Sequence, residues 1–198
     1  MIIRSLIGAT ALTVASVAAA ACGGTTSQPA AENAAAPASA PAPAAGGATV
    51  RGDLLADWRE QKDMMLKAAD AMPEDKFGYK STPQQRSYGE QVMHIASINV
   101  DLLKMVGGQA PAPAFTAESA KTKADIMKAL AESYDYGIAL LDAQSDAWVT
   151  ETIDAGFLGQ STRGRLFWFL LGHSNNTYGQ MVVYLRLNGV VPPASRGV

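Results

Sequence analysis

From about residue 53 onward the apolar residues recur at helical spacing, in four long runs separated by breaks rich in proline and glycine. The first run predicts a helix from about Asp53 to Met72, with Leu54, Trp58, Met65, Ala69 and Met72 on one stripe, ended by Pro73. The second opens on Ser87-Tyr-Gly-Glu90, a capping box. In this motif the serine oxygen takes an orphan amide and the glutamate reaches back to the cap amide. Its run continues to about Val106 with Ile95, Ile98, Leu102 and Met105 expected to face inward, and Gly107-Gly108, Pro111 and Pro113 end it.

The third run starts near Thr122, with Asp125 at the box position, and reaches about Ala143. Its expected buried stripe is Ile126, Leu130, Tyr134, Ile138 and Leu141. A helical turn is compatible with Asp146 to Val149, and the glycine-punctuated stretch from Ile153 to Gln160 reads as a loop or a short hairpin. The fourth helix starts near Ser161 or Thr162 and is apolar nearly all round from Leu166 to Leu171, as expected of a central helix. Leu166, Phe169, Leu170, His173, Thr177, Gln180, Met181 and Tyr184 share one of its faces. Asn188-Gly189 supplies the C-terminal cap and Pro192-Pro193 forbids continuation. Four helices with these connections predict an all-α four-helix bundle spanning residues 51–198.

What precedes the bundle has a different character. Arg4 and the apolar run from Leu6 to Ala21 resemble a secretory signal, too short to favour a membrane span. The one cysteine of the chain, Cys22, follows Ala19-Ala20-Ala21 at the cleavage zone. Small residues before a cysteine resemble a bacterial lipobox, in which the cysteine is acylated and becomes the mature N-terminus; simple cleavage at an Ala-x-Ala site is the alternative. Residues 23–50 are almost wholly Ala, Pro, Gly, Ser and Thr, with Glu32 the one charge, too little bulky apolar surface to offset ordering entropy. They read as a disordered tether spanning roughly 30 Å. The expectation is export to the cell envelope, with a membrane partner engaged through the lipid on Cys22.

The formal net charge is −2 with no basic stripe, so a nucleic-acid partner is not expected. The bundle has no cysteine, which excludes disulfides, thiolate metal sites and a cysteine nucleophile within it. It should fold alone, as a monomer or homodimer. Nucleophile-elbow, phosphate-loop and zinc-protease signatures are missing.

The remaining chemistry lies with the two histidines of the chain, His94 and His173, each in an apolar helical run. Burying an imidazole is costly unless its ring nitrogens find partners. Glu90 sits one turn before His94 and Asp101 two turns after; Thr177 and Gln180 follow His173 by one and two turns. Bundles build metal sites from side chains on facing helices, and zinc, nickel or iron accepts two imidazoles with an oxygen donor. The plainer alternative is two part-buried histidines bonded to a hydroxyl or a carbonyl. The aromatic run Phe167-Trp168-Phe169 reads as core.

Three segments resemble the DinB-like family of four-helix bundles: Tyr178 to Ser195, Ser87 to Ala96 with His94 inside it, and Thr122 to Leu130. The resemblance implies a divalent metal held by three histidines, one on the second helix and two on the fourth spaced H-x-x-x-H. His94 and His173 match the first two. The third falls at position 177, which is Thr177 here. Relatives with the full set include thiol transferases and isomerases in which a metal lowers the thiol pKa; DNA repair is not implied. The expectation is therefore an envelope domain with a residual or altered metal site at His94 and His173, in a cleft lined by Glu90, Thr177 and Gln180 that takes a small molecule. The alternative is a metal-free binding or structural module.

Overall fold

The computed structural model describes residues 48–196. The expected signal sequence, Cys22 and nearly all of the expected tether lie outside the described residues. The helices within them are α1 (Val50–Ala71), α2 (Tyr88–Val106), α3 (Lys123–Asp142), the short α4 (Asp146–Thr150) and α5 (Arg163–Leu187). Between α4 and α5 the chain forms the hairpin β1 (Thr152–Asp154) and β2 (Gln160–Thr162), antiparallel with Ile153 opposite Ser161. No described helix is long and apolar enough to cross a membrane.

Local sequence sets the helix ends. Both expected capping boxes form, Ser87 with Glu90 and Thr122 with Asp125, each satisfying two backbone amides at once. At the C-terminus of α5, Gly189 takes a φ of +73°, and the Gly189 and Val190 amides return to Arg186 and Leu185. The first helix starts earlier than its apolar pattern suggests. Thr49 Oγ1 accepts the Gly52 amide at 3.0 Å, so Thr49 and Val50 belong to the helix and not to the tether.

Around the bundle, α1 packs on α3 and α5, and α2 packs on the same two, leaving α1 opposite α2 and α3 opposite α5. Directions follow from named contacts. Lys123 at the start of α3 donates to Asp70 and Met72 carbonyls at the end of α1, so these two run antiparallel. Asn99 meets Ser133 while Gly89 lies against Ile126, so α2 and α3 run parallel. The connection between them, residues 107–122, must therefore return along roughly 28 Å of helix, well within the reach of an extended chain of that length. This is why a long proline-bearing segment stands there instead of a tight turn.

The centre of the bundle is Trp58, fully buried on α1. Its indole N–H donates to the Tyr134 carbonyl at 2.9 Å, and its ring meets Tyr134 and Phe167 at 5.2 and 5.3 Å. The close approach depends on Gly137, where a Cβ would stand 2.5 Å from Trp58 Cε2. Near the hairpin, Arg163 donates to the Val106 carbonyl at the end of α2, pairs with Glu151 at 3.2 Å and lies over Trp148.

Two sequence expectations are corrected. On α2 the buried face is Val92, Ile95, Ala96, Asn99, Leu103 and Val106, whereas Ile98 and Leu102 are half-buried and Met105 is exposed. The helix is apolar over so wide an arc that periodicity alone admits more than one phase. On α5 only Phe167 of the aromatic run is core; Trp168 and Phe169 are 50% and 38% exposed, so α5 is not enclosed on all sides.

Candidate functional site

The antiparallel pair α2 and α5 form a groove whose register is fixed by successive cross-helix contacts. Tyr88 lies 6.2 Å from Tyr184 between ring centroids, Gln91 Nε2 donates to Gln180 Oε1 at 2.9 Å, and farther along Arg163 reaches Val106. Between these, His94 and His173 come together, Nε2 to Nε2 at 3.1 Å, with their rings nearly perpendicular. Both residues sit at the edges of their helices' buried faces and are half-buried, which brings the rings to the rim of the groove and not into the core.

Burial lowers the pKa of each ring first. The positive charge of Arg86 adds to this at both rings, and His173 adds to it at His94. Both imidazoles are thus neutral at pH 7, the form that ligates metal or shares one proton between facing nitrogens. Two nitrogens each about 2.0–2.1 Å from one ion, at a bond angle of about 90–110°, stand about 2.8–3.4 Å apart. The spacing between His94 and His173 lies inside that range. Among the described residues, no third or fourth His, Cys, Asp or Glu joins the pair in a cluster. Asp101, two turns along from His94, is drawn to Lys104 at 3.8 Å.

The other expected site residues take distinct positions. Glu90 lines a cleft of about 480 Å³ beside His94, but its carboxylate is engaged: it accepts the Ser87 amide at 2.6 Å and pairs with Lys80 at 3.3 Å. Those contacts hold it below the usual carboxylate range, the Ser87 amide contributing most. Gln180 stands on the groove rim, accepting from Gln91 and donating to Asn176 Oδ1 at 2.8 Å. Thr177, one turn on from His173, is 2% exposed and packed on the buried face of α5 with Ser174 and Met181. It occupies the interior side of the groove, where a longer side chain would have to displace its neighbours.

Two residues, Gln91 and Arg86, escaped the sequence reading, and Phe169, expected on the His173 face as core, is part-exposed there. Gln91 is fully buried yet polar, and the one signal for it was its position one turn before Ile95 on an apolar face. Arg86 lies just outside the helical pattern, in the connection that lines the cleft, so periodicity gave no reason to single it out. Phe169 lies parallel to the His173 ring with centroids 6.3 Å apart, and Phe157, from the turn of the hairpin, meets it edge-on at 5.1 Å.

Comparison with known proteins supports the same fold. A crystallised DinB-like protein from Bacillus cereus ATCC 10987 is similar at a TM-score of 0.61 and 17% identity, over 73% of this chain and 96% of that one. A DinB-like protein from Bacillus subtilis, YjoA, is similar at a TM-score of 0.53 and 17% identity, over 69% of this chain and 92% of that one. At such identity the likeness is one of fold. No curated protein matches the chain. The family model of the DinB superfamily matches residues 57–181, from α1 through the histidine pair to Met181 on α5, and the chain belongs to that superfamily.

Proposed function

We propose that this DinB domain binds a divalent metal ion, zinc, nickel or iron, through His94 Nε2 and His173 Nε2, and that it does so in the cell envelope. The observation that carries the reading is the 3.1 Å separation of two neutral ring nitrogens at the rim of an open groove. Water or an oxygen donor completes the shell, since Thr177 stands where a third imidazole is expected. A bound metal there supplies Lewis acidity, lowering the pKa of a coordinated water or thiol. The chain's own contribution is to hold both rings neutral, through burial and the charge of Arg86, and to brace the groove through the Gln91–Gln180–Asn176 chain. The envelope location is carried by the signal-like run ahead of Cys22 and the tether behind it. Metal analysis of the full chain purified from envelope fractions tests the reading. About one equivalent of a divalent ion, lost in His94→Ala, is expected; no metal in either protein contradicts it.

A second reading rests on Thr177. Two imidazoles without the third make a weaker site, and the groove then serves as a metal-free binding surface. In that case the two rings share a proton through Nε2–H···Nε2 at the same separation.

A further inference from the structure

The groove around the histidine pair is chemically different at its two ends. On one side of His94, between α2, the connection that precedes it and Ala117, lies the cleft of about 480 Å³ whose walls include Lys80, Arg86, Glu90, His94 and Ser97. Lys80 is neutralised by Glu90 at 3.3 Å. Arg86 makes no ion pair among the described residues and is exposed. Its backbone is pinned, because the Tyr184 hydroxyl donates to the Arg86 carbonyl at 2.8 Å, which fixes where the guanidinium fork is rooted. With one pair cancelled and one guanidinium left over, the cleft carries one net positive charge and suits one negative group.

Toward the other end the surface is aromatic. Phe169 lies one turn before His173, parallel to its ring, and Phe157 meets Phe169 edge-on. The two rings are 38% and 64% exposed, large apolar area left to solvent beside a part-buried polar pair. Phe157 is held there by the hairpin. Gly156 takes a φ of +60° at its turn and packs so closely on Met105 that a Cβ would stand 2.5 Å from Met105 Cε, while the adjacent Ala155 is fully buried.

We propose that the surface running from the Arg86 cleft past the histidine pair to Phe169 and Phe157 binds a monoanionic amphiphile, a carboxylate with an apolar body, its anionic group on Arg86 and its apolar body on the two rings, so that the histidine pair faces the atoms between. A guanidinium recognises a carboxylate through two parallel N–H donors, and exposed rings take apolar chain with little loss of their own freedom. The orientation rests on the proposed metal-binding role of the histidine pair. Binding at the two ends needs no metal.

The test uses the full chain with a chelator present and the fluorescent probe dansylaminoundecanoic acid, compared with its methyl ester. The acid is expected to bind about tenfold or more tightly than the uncharged ester. Arg86→Met should erase that preference by weakening the acid alone, and Phe169→Ala should weaken both probes. Equal binding of acid and ester by the wild-type chain, or unchanged acid binding by Arg86→Met, overturns the proposal. Zinc binding is measured separately without chelator, so its absence would remove the metal reading while leaving an Arg86-dependent preference standing.

Discussion

The His94 and His173 rings meet Nε2 to Nε2 at 3.1 Å across a groove between helices that share no local sequence, and this distance is set by register. With α2 and α5 antiparallel, contacts at Tyr88–Tyr184, Gln91–Gln180 and Arg163–Val106 bracket the pair on both sides. Gln91 is buried and polar, and any slip along the helices would cost it its partner on Gln180. The register of the bundle therefore brings the two rings face to face.

The core should respond to loss of volume at the centre of α5. Leu170 is fully buried there. Leu170→Ala is expected to cost about 2–5 kcal/mol, the transfer term plus the cavity term. Urea unfolding followed by circular dichroism reads this as a lower midpoint with an unchanged slope; a loss under about 1 kcal/mol would mean that the bundle collapses freely around the site.

Adding volume at Gly137 should be as damaging. The new methyl would stand 2.5 Å from Trp58, which is fully buried and fixed by its bond to the Tyr134 carbonyl. Gly137→Ala is expected to destabilise by about 1–3 kcal/mol despite alanine's better helix propensity. Equal or higher stability, with unchanged tryptophan fluorescence, would contradict the described packing.

Acid should weaken the metal-free domain in a defined window. Both histidines have their pKa lowered by burial and by Arg86, so the unfolded chain takes up these protons more readily than the folded one. The associated stability is fully present above the ordinary histidine value of about 6.5 and is lost as pH falls below it toward the folded-state values. Thermal melts from pH 8 to 5 should show a falling Tm, and the slope should flatten in a His94→Gln, His173→Gln double variant. An equal slope in both proteins would show that these rings are not the titrating groups.

What the chain disclosed in advance was mostly local. A capping box needs only residues three apart, so Ser87 with Glu90 and Thr122 with Asp125 located two helix starts, and Asn188-Gly189 located a helix end. The phase of α2 was less legible, because Ile98, Leu102 and Met105 offered an apolar stripe as regular as the true one. The true face includes Asn99, a polar residue that becomes buried by pairing with Ser133 on another helix. Partners distant in sequence also explain why Arg86 and Gln91 were missed and why Phe169 was read as core. The significance of each depends on where α5 lies against α2, which no window of one helix contains.

Membrane attachment is expected to depend on Cys22. The lipobox-like placement calls for acylation, and stable anchoring needs more than one acyl chain. In the native host, Cys22→Ser should move the protein from the membrane to the soluble envelope fraction. Full retention with membranes would leave Cys22 without that role.

The central claim, a shared metal site at the histidine pair, is tested most directly by calorimetric titration of zinc into the wild-type chain, His94→Ala and Thr177→His. The account predicts one site in the wild type, its loss in His94→Ala, and at least tenfold tighter binding in Thr177→His. That last substitution places a third imidazole one turn from His173, at a packed position that must give way to admit it. Zinc binding of equal strength in the wild type and His94→Ala would contradict the claim outright.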